Sequence, residues 1–168
     1  IDALRREGRP YAGVLYPGLM INKKTNSIKV LEYNCRFGDP ETQVLLPLLK
    51  SDLLEVMMAC TNGTLDTVNV EWYNGAAATV VGASRGYPQK YPKGLKIHGL
   101  EGVSSHLAEP DSNNVLVKTF HAGTRFDTND LSYYTSGGRV LAVTARAKSL
   151  QDAVRYSLSL IHISEPTR

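Results

Sequence analysis

Residues 30–43 read VLEYNCRFGDPETQ. The first half of this run alternates like a β-strand, whose side chains point to opposite faces with period two. Val30, Glu32, Asn34 and Arg36 fall on one face, and Leu31, Tyr33 and Cys35 on the other. The second set is apolar and is expected to pack. The first places a carboxylate, an amide and a guanidinium in a row. After Arg36 the run breaks at Phe37-Gly38-Asp39-Pro40. A helix is expected to start there, with Asp39 as its cap and Pro40 at its first position.

That row has a definite chemistry. Glu32 and Asn34 offer two hard oxygen ligands from one strand face. Mg²⁺ takes one or two such protein oxygens beside substrate phosphates and water. An arginine two residues on can fork onto a phosphate or carboxylate held there. On alternation alone, a solvated strand face that is simply polar is the more ordinary reading.

Working outward, residues 11–22 form an apolar, strand-like stretch interrupted by Pro17-Gly18. A polar turn at 23–27 returns the chain through 28–35, giving a hairpin. Upstream, 1–8 reads as the end of a helix, stopped by Gly8 and Pro10. Downstream, 41–49 and 52–60 are expected to be helical, with a break at Pro47. Asp52 and Glu55 form a capping pair, and Gly63 is a stop. Residues 64–75 carry no strong period and read as a link.

From residue 76 the pattern is rich in strands: 76–83, 115–122 and 139–147, with polar turns at 111–114 and 127–130. Residues 150–158 are amphipathic, with Leu150, Val154 and Leu158 at helical spacing. The segment 85–94 holds two Pro, two Gly and two Tyr. It reads first as an exposed loop, although glycine-rich backbone also presents N–H groups to an anion. It lacks the G-x-x-x-x-G-K-[ST] spacing of a phosphate loop. Lys93 is retained as a substrate-binding candidate. Gly137-Gly138-Arg139 is a turn before a strand and reads as a tight hairpin connection.

The 168-residue chain suffices for one domain or for parts of two. With 42% hydrophobic and 21% charged residues it has an ordinary globular composition. A net charge of +3 without a basic run gives nucleic-acid binding no support. No apolar run has the length of a membrane span. The four histidines, His98, His106, His121 and His162, show no metal-ligand spacing. Cys35 and Cys60 are expected to be small buried hydrophobes, as free thiols in a reducing compartment are.

The run EYNCRFGDPETQ at 32–43 closely resembles the most distinctive sequence of the phosphoribosylamine–glycine ligase family, also called glycinamide ribonucleotide synthetase, of the ATP-grasp superfamily. GVLYPGLMI at 13–21 is similar to the family's preceding strand, and LLPLLKSDLLEV at 45–56 to its following helices. GYPQKYPKGLKI at 86–97, FHAGT at 120–124 and GGRVLAVTA at 137–145 resemble its small C-terminal domain. The resemblance extends from about residue 3 to about residue 156. The family often carries Gly where Gln89 stands.

This resemblance implies an α+β fold. Residues 1–70 would be the C-terminal part of an ATP-grasp domain, and 73–158 a small, mostly antiparallel β domain with one helix. It implies ATP-dependent ligation of glycine to 5-phosphoribosylamine through glycyl phosphate, in cytoplasmic purine synthesis. Glu32 and Asn34 would hold Mg²⁺ or Mn²⁺ on the ATP phosphates, and Arg36 would steady the transferring phosphoryl group. Gly38 and Asp39 would shape the glycine pocket, with Asp39 and Glu41 bracing the loop ahead of orienting the amine. Arg139 would face the substrate's phosphate. The family's adenine-gripping lobe would lie upstream, so the chain is expected to be a fragment that does not catalyse alone. Aminoimidazole ribonucleotide synthetase is the expected fusion partner. Another ATP-grasp carboxylate–amine ligase, or a non-catalytic module of the same fold, is the alternative. The tail SLIHISEPTR at 159–168 does not resemble the family. It is expected to come from a fused adapter or a truncated gene.

Overall fold

The computed structural model describes residues 1–100 and 114–161. His106, most of the turn expected at 111–114, and His162, Glu165 and Arg168 of the tail lie outside the described residues. In chain order the elements are α1 (Asp2–Arg6), β1 (Tyr16–Ile21), β2 (Ile28–Asn34), α2 (Thr42–Leu45), a 3₁₀ turn (Leu46–Leu48), α3 (Leu53–Asn62) and a second 3₁₀ turn (Leu65–Thr67). Then follow β3 (Ala76–Ala83), β4 (Lys96–Ile97), β5 (Leu116–His121), β6 (Thr124–Asp127), β7 (Ser132–Thr135), β8 (Arg139–Ala147) and α4 (Leu150–Ile161). Helices beside three antiparallel sheets make the fold α+β. The chain divides into two compact units, Ile1–Thr42 with Leu49–Trp72, and Gln43–Leu48 with the described residues from Tyr73 on.

The first unit is built on the β1–β2 hairpin. Its turn forms because Asn22 caps it. The Asn22 Oδ1 accepts from the amides of Lys24 and Thr25, and Asn26 takes the left-handed conformation with φ of 53°. Pro17 lies inside β1 rather than interrupting it, since a two-stranded sheet has an open edge where a missing N–H costs nothing. The pairing shifts between Gly18 and Leu19, so that Gly18 faces Glu32, Leu19 faces Val30 and Leu31 is the extra residue.

The expected packing face of β2 is open. Leu31 is 65% and Tyr33 61% exposed, and Cys35 is exposed as well. Alternation makes a face able to pack, but a hairpin buries it only where another layer covers it. The helix expected from Asp39-Pro40 starts later, at Thr42. Asp39-Pro40 is a cis peptide within a turn. The Gly38 carbonyl receives Thr42 N–H at 3.0 Å. At Pro47 the helix has already tightened into a 3₁₀ turn. Cys60, in α3, is half-buried. That helix begins at the Asp52 cap, whose Oδ1 accepts from Leu54 and Glu55, and ends on Gly63 with φ of 72°.

In the second unit β8 is the central strand of β3-β8-β5, antiparallel to both neighbours. It is exposed at Arg139 and buried from Val140 to Ala147. Helix α4 packs on β3 and β8 through small residues, Ala153 and Ser157, both fully buried. Arg146 is 4% exposed; it donates to the Pro47 carbonyl at 3.2 Å and lies 3.7 Å over the Tyr73 ring. The sheet β4-β7-β6 is a second antiparallel layer. Ile97, Leu100, Val140 and Leu141 form its buried cluster, with Tyr133 against them.

At the edge of that sheet, Asp130 Oδ2 accepts from the Tyr134 hydroxyl at 2.6 Å and from Lys96 Nζ at 3.2 Å. The Tyr134 hydrogen bond, with Lys96 adding to it, holds the Asp130 carboxyl below its ordinary value. A carboxyl depressed on folding stabilises the fold fully above its unfolded pKa of about 3.9. That contribution disappears as pH falls through the lower folded value. Thermal melts between about pH 5 and about pH 2.5 should therefore fall less steeply for Asp130→Asn than for wild type. Parallel acid limbs in the two proteins would discard this coupling.

Candidate functional site

Glu32 and Asn34 are two residues apart on β2, and their side chains meet. Asn34 Nδ2 donates to Glu32 Oε1 at 3.0 Å. Glu32 is exposed and Asn34 half-buried. Opposite them, a Cβ built on Gly18 would come 3.2 Å from Glu32 Cγ, so the glycine leaves room for the acidic side chain to lie across the hairpin. The donor set is one carboxylate and one amide. It suits a hard divalent cation that takes its other ligands from phosphates and water. The amide now offers its N–H₂ to the carboxylate; a half-turn about its terminal bond exchanges that donor for Oδ1. Among the described residues no group of three or more His, Cys, Asp or Glu stands together.

Arg36 does not continue the row. β2 ends at Asn34, and Arg36 sits in the bend beyond it. Its Nη1 donates to the neighbouring Phe37 carbonyl at 3.0 Å, and its side chain is exposed. Gly38 is buried. A Cβ there would lie 2.1 Å from Glu41 Oε2, so Glu41 folds back over the loop and braces it. The Thr42 hydroxyl also donates to the Gly38 carbonyl. Asp39 is exposed on the turn. Glu32 and Asn34 are thus brought together, Gly38 is packed under Glu41, and Arg36 and Asp39 face outward.

On the other side of the hairpin strand, a cavity of about 550 Å³ is lined by Leu4, Tyr11, Leu15, Tyr33 and Cys35 among others. The Tyr11 hydroxyl donates to the Val14 carbonyl at 2.7 Å. Burial, with a hydrogen bond to Cys35 and the charges of Cys35 and Cys60, raises the Tyr11 phenol above its ordinary value.

The remaining candidates belong to the second unit. Lys93 is exposed, with Nζ 5.8 Å from the centroid of the Tyr91 ring. Arg139 is exposed at the start of β8. Three loops meet around it. Ser84 binds the carbonyls of Gly137 and Gly138; Gly123 N–H donates to the Arg139 carbonyl at 2.8 Å; and Gly94 N–H donates to the Thr135 carbonyl at 2.7 Å. The loop ends of the stretches 86–97, 120–124 and 137–145, far apart in sequence, meet in one cluster. His121 ends β5 with its ring 4.6 Å from that of Tyr133, and partial burial lowers its pKa. Sequence reasoning passed over Gly18, Ser84, Tyr87 and Gly123. The only signal for the glycines was their residue type.

The chain belongs to the phosphoribosylglycinamide synthetase family. The family model described as "Phosphoribosylglycinamide synthetase, C domain" matches residues 77–164. The model described as "Phosphoribosylglycinamide synthetase, ATP-grasp (A) domain" matches 1–42. The C-domain match runs past residue 158, into the stretch expected to depart from the family. The chain is 48% identical to a bifunctional purine biosynthetic protein, purD, of Dictyostelium discoideum, over 96% of this chain and 19% of that one. It is 45% identical to a phosphoribosylamine–glycine ligase of Vigna unguiculata, over 99% of this chain and 51% of that one. It is 51% identical to a trifunctional purine biosynthetic protein, adenosine-3, of Gallus gallus, over 92% and 14%. The crystal structure of phosphoribosylamine–glycine ligase from Thermotoga maritima superposes with a TM-score of 0.74 at 30% identity, covering 98% of this chain and 37% of that one. The chain therefore spans about half or less of the length of these relatives. No helix among the described residues is long and apolar enough to cross a membrane.

The exposure of Cys35 makes a direct prediction. In the folded chain Cys35 should react with a thiol reagent faster than half-buried Cys60. Stopped-flow thiol titration should show two phases, and Cys35→Ser should lose the fast one. A fast phase that survives in Cys35→Ser would place the accessible thiol at Cys60 instead.

Proposed function

We propose that the polypeptide carrying this chain ligates glycine to 5-phosphoribosylamine, driven by ATP. The observation that carries the reading is the convergence of Glu32 and Asn34, 3.0 Å apart, within an unbroken EYNCRFGDPETQ run. The glycine carboxylate oxygen attacks the γ-phosphorus, the bond to the β-phosphate oxygen breaks, and ADP leaves. The amine nitrogen of phosphoribosylamine then attacks the acyl carbon of glycyl phosphate. The acyl C–O bond breaks, phosphate leaves, and the nitrogen releases a proton to solvent. The product is glycinamide ribonucleotide. A carboxylate is a poor electrophile, and the acyl phosphate supplies the leaving group it lacks.

Glu32 and Asn34 would hold Mg²⁺ or Mn²⁺, whose charge would offset that of the ATP phosphate oxygens. Arg36 leaves the Phe37 carbonyl for the transferring phosphoryl oxygens. Its exposure lets that exchange cost little, since water and the phosphoryl oxygens replace the one carbonyl acceptor it gives up. The loop at Gly38 and Asp39, braced by Glu41, borders the glycine carboxylate. Lys93 and Arg139 are among the cations of the loop cluster, and Arg139 meets the substrate's phosphate. The two free thiols suit the cytoplasm, where we place the reaction. Because the chain spans only part of its relatives, we assign the reaction to the longer polypeptide and not to this chain alone. The names of the bifunctional and trifunctional relatives support a fused arrangement with other purine enzymes, for which aminoimidazole ribonucleotide synthetase is our candidate. ADP release that needs glycine and phosphoribosylamine together, and not either alone, is the expected result with that polypeptide. Equal release with another amine substrate would turn the reading toward a different carboxylate–amine ligase.

Glu32→Ala removes the only charge of the metal pair. A loss of about 3 kcal/mol in the transferring step slows it roughly a hundredfold. Asn34→Ala should cost less, because water replaces a neutral ligand. Both variants should stay folded, being on an open strand face, and both should need more Mg²⁺ for half-maximal ADP release. Wild-type rate and Mg²⁺ dependence in the folded variants would end the metal assignment.

Arg36→Lys keeps the charge but loses the two-pronged geometry of guanidinium. It should lower turnover more than it weakens ATP binding, since the contact matters most as charge shifts. Turnover equal to wild type would return Arg36 to the solvated bend.

A further inference from the structure

We propose that Ser84 and Tyr87 are positioning residues that hold the Gly137-Gly138-Arg139 turn in the shape that presents Arg139. The inference rests on the reading of Arg139 as the contact to the substrate's phosphate. One residue secures both carbonyls of the turn. The Ser84 amide donates to the Gly138 carbonyl at 2.7 Å, and the Ser84 hydroxyl donates to the Gly137 carbonyl at 2.9 Å. The Tyr87 ring then closes the outer side. A Cβ built on Gly138 would lie 2.1 Å from Tyr87 Cδ2 and 2.6 Å from Cε2, so the ring rests directly on the glycine.

The inner side is closed by Gly123, where a Cβ would come 2.5 Å from Gly137 Cα and 2.6 Å from the Arg139 carbonyl. The backbone before Arg139 is therefore clamped from both sides, while the Arg139 side chain remains exposed. Tyr87 is in turn held by its own amide on the Ser84 carbonyl at 3.0 Å and by an edge contact to Tyr91. A long cation on a fixed backbone loses less freedom when it captures an anion than one on a mobile turn, so the clamp raises affinity without touching the ligand. Tyr87 is 43% exposed, which is little burial for a ring whose purpose is core packing.

The test is a double-mutant cycle in the longer ligase polypeptide, reading KM for phosphoribosylamine and kcat at saturating ATP and glycine. Tyr87→Ala should raise KM about tenfold, the loss of one ordered charged contact, and leave kcat within about twofold. Tyr87→Phe keeps the ring and should match wild type. Arg139→Ala should raise KM at least as much, and Tyr87→Ala should add nothing to it, because residues acting through one group are not additive. Unchanged KM in Tyr87→Ala, or a full additive loss in the double variant, overturns the positioning role. Unchanged KM in Arg139→Ala removes the phosphate reading itself, and this inference with it. If Tyr87→Ala melts below the assay temperature, the cycle of Ser84→Ala with Arg139→Ala probes the other half of the clamp. Non-additive KM there supports the positioning role, and a full additive loss overturns it.

Discussion

The burial of β8 is the constraint on which the second unit depends. β8 is hydrogen-bonded on both edges and covered by α4, and Val143 and Ala145 are fully buried. A central strand covered in this way cannot slip by one residue, because a slip turns every side chain to the wrong face. Its register with β3 and β5 therefore fixes where the strand begins. Arg139 is the first residue of the strand and the only exposed one in it. The arginine is placed at the rim by the same packing that buries the rest of the strand after it.

The second consequence is at the far end of β8. Arg146 is a buried guanidinium, and a buried charge is tolerated only with partners. It finds them in the Pro47 carbonyl and the Tyr73 ring. Pro47 is suited to this because the helix does not continue through it. In a longer helix its carbonyl would accept an amide four residues on; in the 3₁₀ turn Leu46–Leu48 it serves Arg146. Residues 43–48 group with the second unit, and the Arg146 bond to the Pro47 carbonyl is one of the contacts that tie them to it.

Local periodicity made much of this legible in the sequence. The hairpin, α3 with its Asp52 cap and Gly63 stop, β3, β5, β8 and α4 all follow from spacing and turn residues. Glu32 and Asn34 were legible for the same reason: two residues on one strand share a face whatever surrounds them. What failed depended on distant partners. Leu31, Tyr33 and Cys35 were expected to be covered, but alternation specifies a face and not the layer that covers it. Arg36 was counted into the strand, which ends two residues earlier. The short strands β4, β6 and β7 have two to four residues each, too few for a period to register. The roles of Gly123 and Gly138 exist only where loops far apart in sequence touch.

The two chemical groups of the chain are therefore held by different means. Arg139 needs a packed strand, three loops and a ring to be placed. Glu32 and Asn34 need only β2 and a glycine opposite. The hydrogen bond between them does further work for the role proposed here. It holds the two side chains next to one another, with the Asn34 N–H₂ and not its oxygen turned to the carboxylate. A half-turn of the Asn34 amide replaces a donor by an acceptor at nearly the same point, and it gives up one exposed hydrogen bond to the Glu32 carboxylate. In the proposed site the charge of a divalent cation would offset that loss. Glu32, Asn34 and Gly18 thus stand together on the hairpin without any ligand.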